Sequence, residues 1–253
     1  MTVPSTHLII IPSYNPGPRL LNTVKGALMH WPTIWVVVDG GTDESEHAVE
    51  ELCASHPGLR VLRREINGGK GAAVLTGALA AREAGFTHAL VMDADGQHPA
   101  SHIREFIEAS IRQPDHLILG EPIFGPEAPL ERLQGRKLSV GLVHFETFGN
   151  AIADPLFGFR VYPLPSLIAA LGDTRFARGF DFDPEVAVRI VWAGVPTINL
   201  PAPCCYLRKS DGGVSHFHYL RDNVKMVWLH TRLITQLLLW RWPAVRRLQL
   251  RRQ

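Results

Sequence analysis

The sequence predicts an α/β fold, a mostly parallel sheet flanked by helices, with an amphipathic helix at the C-terminal end. Three observations carry that prediction. Short apolar runs alternate with segments of helical periodicity through the first half of the chain. Polar clusters fall at the ends of those apolar runs. The length of 253 residues, with 46% hydrophobic and 20% charged residues, is that of an ordinary globular chain with one large core.

In chain order, residues 7–11, 34–38, 59–62, 89–92 and 116–119 read as strands. Residues 20–29, 44–55, 72–83 and 102–112 carry the helical pattern between them. Ligands of such sheets bind beyond the carboxyl ends of the strands. Here those ends carry Pro12-Ser13-Tyr14-Asn15, then Asp39-Gly40-Gly41-Thr42-Asp43, then Asn67-Gly68-Gly69-Lys70-Gly71, then Asp93-Ala94-Asp95-Gly96-Gln97-His98. Four polar loops on one rim mark that rim as the site. Residues 1–215 form the expected main domain, split into 1–120 for the ligand-binding half and 121–215 for the second half. Residues 216–253 form an amphipathic helix and a basic tail.

A formal charge of +2 gives no global field to draw in nucleic acid, and none is expected as a partner. Between Arg241 and Arg252, however, there are five arginines and no acid. Cys53, Cys204 and Cys205 lack metal-ligand spacing and read as reduced thiols of a cytosolic protein. The N-terminus shows no basic start followed by an apolar core, so no secretion signal is expected. The apolar run 237–240 is far short of the roughly 20 residues that span a bilayer.

On an extended segment, the spacing of Asp93, Asp95 and Gln97 points all three side chains to one side. Mg²⁺ and Mn²⁺ prefer oxygen ligands, and Mg²⁺ is usually held by one or two carboxylates with substrate phosphates completing the shell. Two aspartates at a strand end therefore suit a metal carrying a diphosphate; the plainer alternative is a turn at Asp95-Gly96. Asp39 is placed either to accept hydrogen bonds from a nucleobase or ribose or to cap the helix after Thr42. Asn67-Gly68-Gly69-Lys70-Gly71 offers backbone amides and a cation at a helix start, suited to anionic groups. It is not a P-loop, and no dinucleotide fingerprint follows the first strand, which argues against an ATPase and an NAD enzyme.

In the second half, Asp183 is a natural N-cap with Pro184 at the first helical position and Glu185 in the first turn. From residue 217 to 240, Leu220, Val224, Val227, Trp228, Ile234, Leu237 and Leu238 form an apolar stripe, with Arg221, Lys225 and Arg232 among them. Trp240-Arg241-Trp242 leads into the arginines, so the stripe reads either as a core-packed helix with a solvated tail or as contact with anionic lipid.

Together the four rim motifs resemble, in order, those of family 2 glycosyltransferases, and most closely the polyprenol- or dolichol-phosphate sugar synthases, over about residues 7–215. The resemblance implies a GT-A, Rossmann-like fold, a nucleotide-sugar donor, Mg²⁺ or Mn²⁺, and inversion at the anomeric carbon. By position it implies that Pro12, Tyr14 and Asp39 line the nucleotide pocket, with Asn15, Asn67 and Lys70 beside it. Asp93 and Asp95 serve the metal and diphosphate, with Gln97 as an added ligand. Asp154-Pro155-Leu156-Phe157-Gly158-Phe159-Arg160 is similar to the family's Gly-Phe-Arg segment, whose arginine faces phosphates or acceptor; the plainer reading of Arg160 is a surface arginine. Asp183, with Asp181 as substitute, stands where many members carry the base. Arg208, in Arg208-Lys209-Ser210-Asp211-Gly212-Gly213, would neutralise charge on the departing diphosphate. His216 and His218 read as ordinary exposed histidines. The chain departs from the family pattern at Pro16 and Val38, where acids are usual.

The expected function is a metal-dependent inverting hexosyltransferase acting from a nucleotide sugar on a lipid-linked or membrane-proximal acceptor, either a polyprenol phosphate or a hydroxyl, cytoplasmic and peripheral on the inner face of the membrane. Two alternatives stand beside it: a non-catalytic nucleotide-diphosphate-binding subunit and a sugar nucleotidyltransferase.

Overall fold

The computed structural model describes residues 6–125, 130–204 and 219–241. Arg208, His216, His218, Trp242 and the arginines beyond it lie outside the described residues. In chain order the elements are β1 (His7–Ser13), α1 (Arg19–Leu28), β2 (Ile34–Asp39), α2 (His47–Cys53), β3 (Leu59–Arg64), α3 (Lys70–Glu83) and β4 (His88–Val91). A 3-10 turn (Ala100–His102), α4 (Ile103–Arg112), β5 (Leu117–Phe124), α5 (Leu130–Thr147), β6 (Arg160–Pro163) and α6 (Leu164–Gly172) follow. The chain continues through α7 (Phe182–Trp192), β7 (Thr197–Cys204), α8 (Tyr219–Gln236) and a π-helical turn (Leu237–Arg241).

The described strands form one seven-stranded sheet in the order β3-β2-β1-β4-β6-β5-β7. All pairs are parallel except those of β6, which runs antiparallel to β4 and β5. Alternate side chains of β1 feed opposite faces: Leu8 and Ile10 join one core cluster, Ile9 and Ile11 the other. On the first face lie α3, α5, α6, α7 and α8; on the second lie α1, α2 and α4. The amphipathic period explains α1, which buries Leu20, Thr23, Val24 and Ala27. Small residues bring α3 close to the sheet. A Cβ added at Gly77 would stand 3.0 Å from Val37 Cγ2 and 3.1 Å from Ile10 Cγ2. That close seating fixes the N-terminus of α3, and Lys70 with it.

From β1 the chain builds β2 and β3 to one side, then returns to start β4 on the other. The crevice beyond the carboxyl ends of β1 and β4 is therefore the switch point at which such sheets bind ligands.

Several expected boundaries move. The helix expected from residue 44 begins at His47, because Glu44 has φ 56°, a left-handed conformation that no helix accommodates. Lys70 and Gly71 belong to α3 rather than to the loop before it. Asp181, not Asp183, occupies the N-cap position of α7, without a side-chain capping bond; Asp183 is the second helical residue and Pro184 the third, still within the turn whose N–H groups have no intrahelical partner.

The C-terminal helix is present, but of the expected apolar stripe only Leu237 is buried among the described side chains. The apolar residues that α8 and the π turn bury are Leu229, Leu233 and Leu237, whereas Val224, Val227, Trp228 and Leu238 are more than half exposed. Arg232 is buried, not on the outer face. Among the described residues no helix is long and apolar enough to cross a membrane.

Candidate active site

Asp93 lies two residues beyond the end of β4, and Lys70 reaches it from the first turn of α3. The Lys70 ammonium lies 2.7 Å from Asp93 Oδ1 and 2.6 Å from Asp183 Oδ2 at the start of α7. Thus one cation joins the metal-ligand candidate to the base candidate. Gly158 makes room for it, since a Cβ there would come within 2.5 Å of the Lys70 nitrogen and 3.1 Å of Asp183 Oδ1. Burial opposes the charge on Lys70, but Asp183 and Asp93 outweigh it and hold the ammonium well above the usual lysine range. Likewise burial raises the Asp93 carboxyl, yet Lys70 and then His98 bring it below its ordinary value. Asp95 goes the other way: burial first, and then the negative charge of Asp93, push its carboxyl up. Asp183 Oδ1 is buried and has no hydrogen-bond partner.

His98 had no assigned role in the sequence, and the structure gives it one. Its Nδ1 accepts the Asp93 backbone N–H at 2.9 Å, which leaves the proton on Nε2, 3.7 Å from Asp93 Oδ2. Phe157 and Phe159 pack against the ring and hold it buried. The only signal for this in the sequence is the spacing Asp93–His98. Gln97 N–H donates to Asp95 Oδ1 at 2.9 Å, and Arg19 donates to the Asp95 carbonyl at 3.0 Å; Gly96 turns the chain between them with φ 77°.

The remaining rim residues divide sharply. Pro12 is buried within β1, opposite Val37, and Tyr14 stands exposed just after the strand. Asn15, at φ 46°, accepts the Thr42 N–H at 2.7 Å and so ties the loop after β1 to the loop after β2. Asp39 does not cap the helix after Thr42. Its carboxylate takes Arg64 Nε at 2.7 Å and the N–H groups of Gly68 and Gly69 at 3.0 and 2.6 Å. Asp43 instead accepts from Ser45 N–H, and from Gly17 N–H. No local pattern marks Arg64 as the partner of Asp39.

The amides of the Asn67–Gly71 loop, expected to face an anion, are directed inward. Gly68 and Gly69 donate to Asp39, Asn67 Oδ1 accepts from Gly69 N–H, and Gly71 donates to the Arg178 carbonyl at 2.9 Å. Asp39 is thus the loop's own anion. Gly71 is required by packing: a Cβ would lie 1.9 Å from the Ala177 carbonyl oxygen.

Arg160 is neither a surface arginine nor turned toward phosphates. It is fully buried, and its guanidinium donates to the carbonyls of Asp154, Pro155, Phe157 and Asp183. Those bonds tie the turn before β6 to the start of α7, so Arg160 positions Asp183 through the backbone. Asp181 is similarly committed, accepting from Ala177 and Gly179 N–H at 3.1 and 2.9 Å.

The described rim therefore presents three carboxylates, Asp93, Asp95 and Asp183, against one ammonium. Among the described residues no three His, Cys, Asp or Glu side chains converge to hold a metal alone. Two hard oxygen donors repelling one another nevertheless fit a Mg²⁺ or Mn²⁺ whose shell a diphosphate would complete.

The glycosyl transferase family 2 model matches residues 8–161. Similar proteins include the UDP-N-acetylglucosamine–dolichyl-phosphate N-acetylglucosaminyltransferase of Methanococcus voltae, 27% identical over 71% of this chain and 78% of that protein. The undecaprenyl-phosphate mannosyltransferase of Micrococcus luteus is 26% identical over 77% of this chain and 81% of its own. Among solved structures, a mannosyltransferase from Pyrobaculum calidifontis in complex with GDP-Man and Mn²⁺ superimposes with a TM-score of 0.61 at 18% identity, covering 98% of this chain and 74% of that one. The sheet and its helices are those of a GT-A fold, and the chain belongs to glycosyl transferase family 2.

Proposed function

We propose that this glycosyltransferase moves a sugar from a nucleotide-sugar donor to a polyprenyl phosphate at a membrane surface, with Mg²⁺ or Mn²⁺ and with inversion at the anomeric carbon. The observation that carries this reading is the confrontation of Asp93 and Asp95 with Asp183 across Lys70 at the end of β4. The names of the two relatives, which act on dolichyl and undecaprenyl phosphate, supply the acceptor class.

In this reading Asp93 and Asp95 hold the cation, with Gln97 as an added ligand, and the cation supplies charge neutralisation on the leaving diphosphate. Pro12, Tyr14 and Asn15 line the nucleotide side, while Asp39 and Asn67 brace the loop that carries Lys70. Arg208, outside the described residues, would add positive charge beside the departing group. A polyprenyl phosphate is already anionic and attacks without losing a proton. Its lipid tail needs an apolar surface nearby. Val224, Val227, Trp228, Leu238 and Leu239 give α8 and the π turn an exposed apolar face that leads into the arginine-rich end, a combination suited to anionic lipid.

One observation favours a second reading, a hydroxyl acceptor. The unpartnered Asp183 Oδ1 is placed to take a proton, which a neutral alcohol must lose as it attacks.

Labelled UDP-, GDP- and dTDP-sugars offered with undecaprenyl phosphate in phosphatidylglycerol vesicles test the proposal. Label should enter the lipid fraction from one donor, require Mn²⁺ or Mg²⁺, and vanish in Asp95→Asn. Transfer that survives EDTA would remove the metal, and labelling of a hydroxyl glycolipid in place of undecaprenyl phosphate would select the second reading.

A further inference from the structure

The first turn of α3 is clamped from outside: Gly69 N–H is held by Asp39 and Gly71 N–H by the Arg178 carbonyl. Only the side chain of Lys70 is left to move. Its ammonium is seated between Asp93 Oδ1 and Asp183 Oδ2, beside the bare Cα of Gly158 and 5.8 Å from the Phe182 ring centroid. One of the two carboxylates expected to take a metal thus already holds a cation. A divalent ion arriving alone must displace that ammonium or share Asp93 with it, and like charges on one partly buried carboxylate repel. A diphosphate arriving with the metal changes the balance, because its oxygens give Lys70 a second anionic partner.

We propose that Lys70 makes metal binding conditional on the donor diphosphate and, in the same movement, releases Asp183. Lys70 is thus a positioning residue that couples the donor subsite to the acceptor side. The inference rests on the metal-diphosphate reading of Asp93 and Asp95. Reciprocity requires that whatever the diphosphate adds to metal affinity, the metal adds to diphosphate affinity.

Binding of Mn²⁺ to the intact protein, read from the loss of the free-ion EPR signal, tests this with and without inorganic pyrophosphate, after correction for their pairing in free solution. In wild type, pyrophosphate should tighten Mn²⁺ binding at least about tenfold. Lys70→Met should bind Mn²⁺ alone at least about tenfold tighter than wild type, with little further gain from pyrophosphate. Lys70→Arg, which keeps the charge, should behave as wild type. A gain of affinity is not an effect that structural damage produces. Equal Mn²⁺ affinity in Lys70→Met and wild type overturns the proposal while leaving the metal site in place. If Lys70→Met does not fold, wild type decides: Mn²⁺ affinity indifferent to pyrophosphate overturns it. No Mn²⁺ binding by wild type even with pyrophosphate overturns the metal reading itself, and the role of Lys70 with it.

Discussion

Asp183 and Glu185 sit two residues apart on α7 and meet opposite surroundings. Glu185 is fully buried, with Arg189 Nε at 2.9 Å and Arg232 donating to both oxygens at 2.7 and 2.6 Å. Burial pushes its carboxyl up, but the two arginines outweigh burial and hold it below the usual range. Arg232 in turn lies over the Phe176 ring at 3.9 Å, and Arg189 also reaches Asp173 and Gln236. Asp183 has Lys70 on one oxygen and no partner on the other. Satisfied on every side, Glu185 clamps α7 to α8. An unmet buried acceptor costs stability, which the fold does not recover at Asp183. The same helical turn thus carries one carboxylate that the fold satisfies and one that it leaves with an unmet oxygen.

The largest effect should come from breaking the clamp. Glu185→Ala leaves two arginines buried without their shared partner and should cost about 3–5 kcal/mol in denaturant unfolding. A cost below about 1 kcal/mol would erase the distinction between the two carboxylates. Asp183→Asn should do the reverse, leaving the melting temperature nearly unchanged while slowing transfer to a hydroxyl acceptor by about 10²–10⁴-fold. If that variant turns over at full rate, the acceptor is a phosphate.

A smaller effect belongs to the outer face of α8. Trp228→Glu, or truncation after Trp240, should reduce sedimentation with anionic vesicles, and no reduction would return that face to solvent.

The smallest effect tests a third buried group, far from both. His7 stacks on His88 at 4.5 Å and shares a hydrogen bond with Ser110. Burial, then His88, lowers its pKa from 6.5 to about 4. Between those values the unfolded chain binds a proton that the folded one does not, so stability falls as pH drops through that window. His7→Gln should flatten the dependence in urea midpoints measured across it; an unchanged slope would assign the acid sensitivity elsewhere.

Strands β1 to β5 were legible as apolar runs, and the rim followed from the polar clusters that end the first four; β6 and β7, which complete the sheet, were not among the expected strands. What a polar group on that rim faces was not legible. Asp39, Arg160 and the Gly68, Gly69 and Gly71 amides carry the right chemistry for a nucleotide or phosphate, yet each turns to an internal partner. Those partners come from other elements: Arg64 from the next strand, Arg178 from the loop before α7. Helix α8 misled for another reason. It is apolar on two sides, so the period of Val224, Val227 and Trp228 did not reveal that Leu229 and Leu233 face the core with Leu237. The Glu185–Arg232 pair, 47 residues apart, leaves no local pattern at all.

Calorimetric titration of UDP, GDP and dTDP into wild type and Asp95→Asn, each with and without Mn²⁺, tests the central claim most directly. The account predicts that one nucleotide binds wild type, that binding needs the metal, and that Asp95→Asn loses it while retaining its fold. Equal binding by both proteins without metal would contradict the assignment of Asp93 and Asp95.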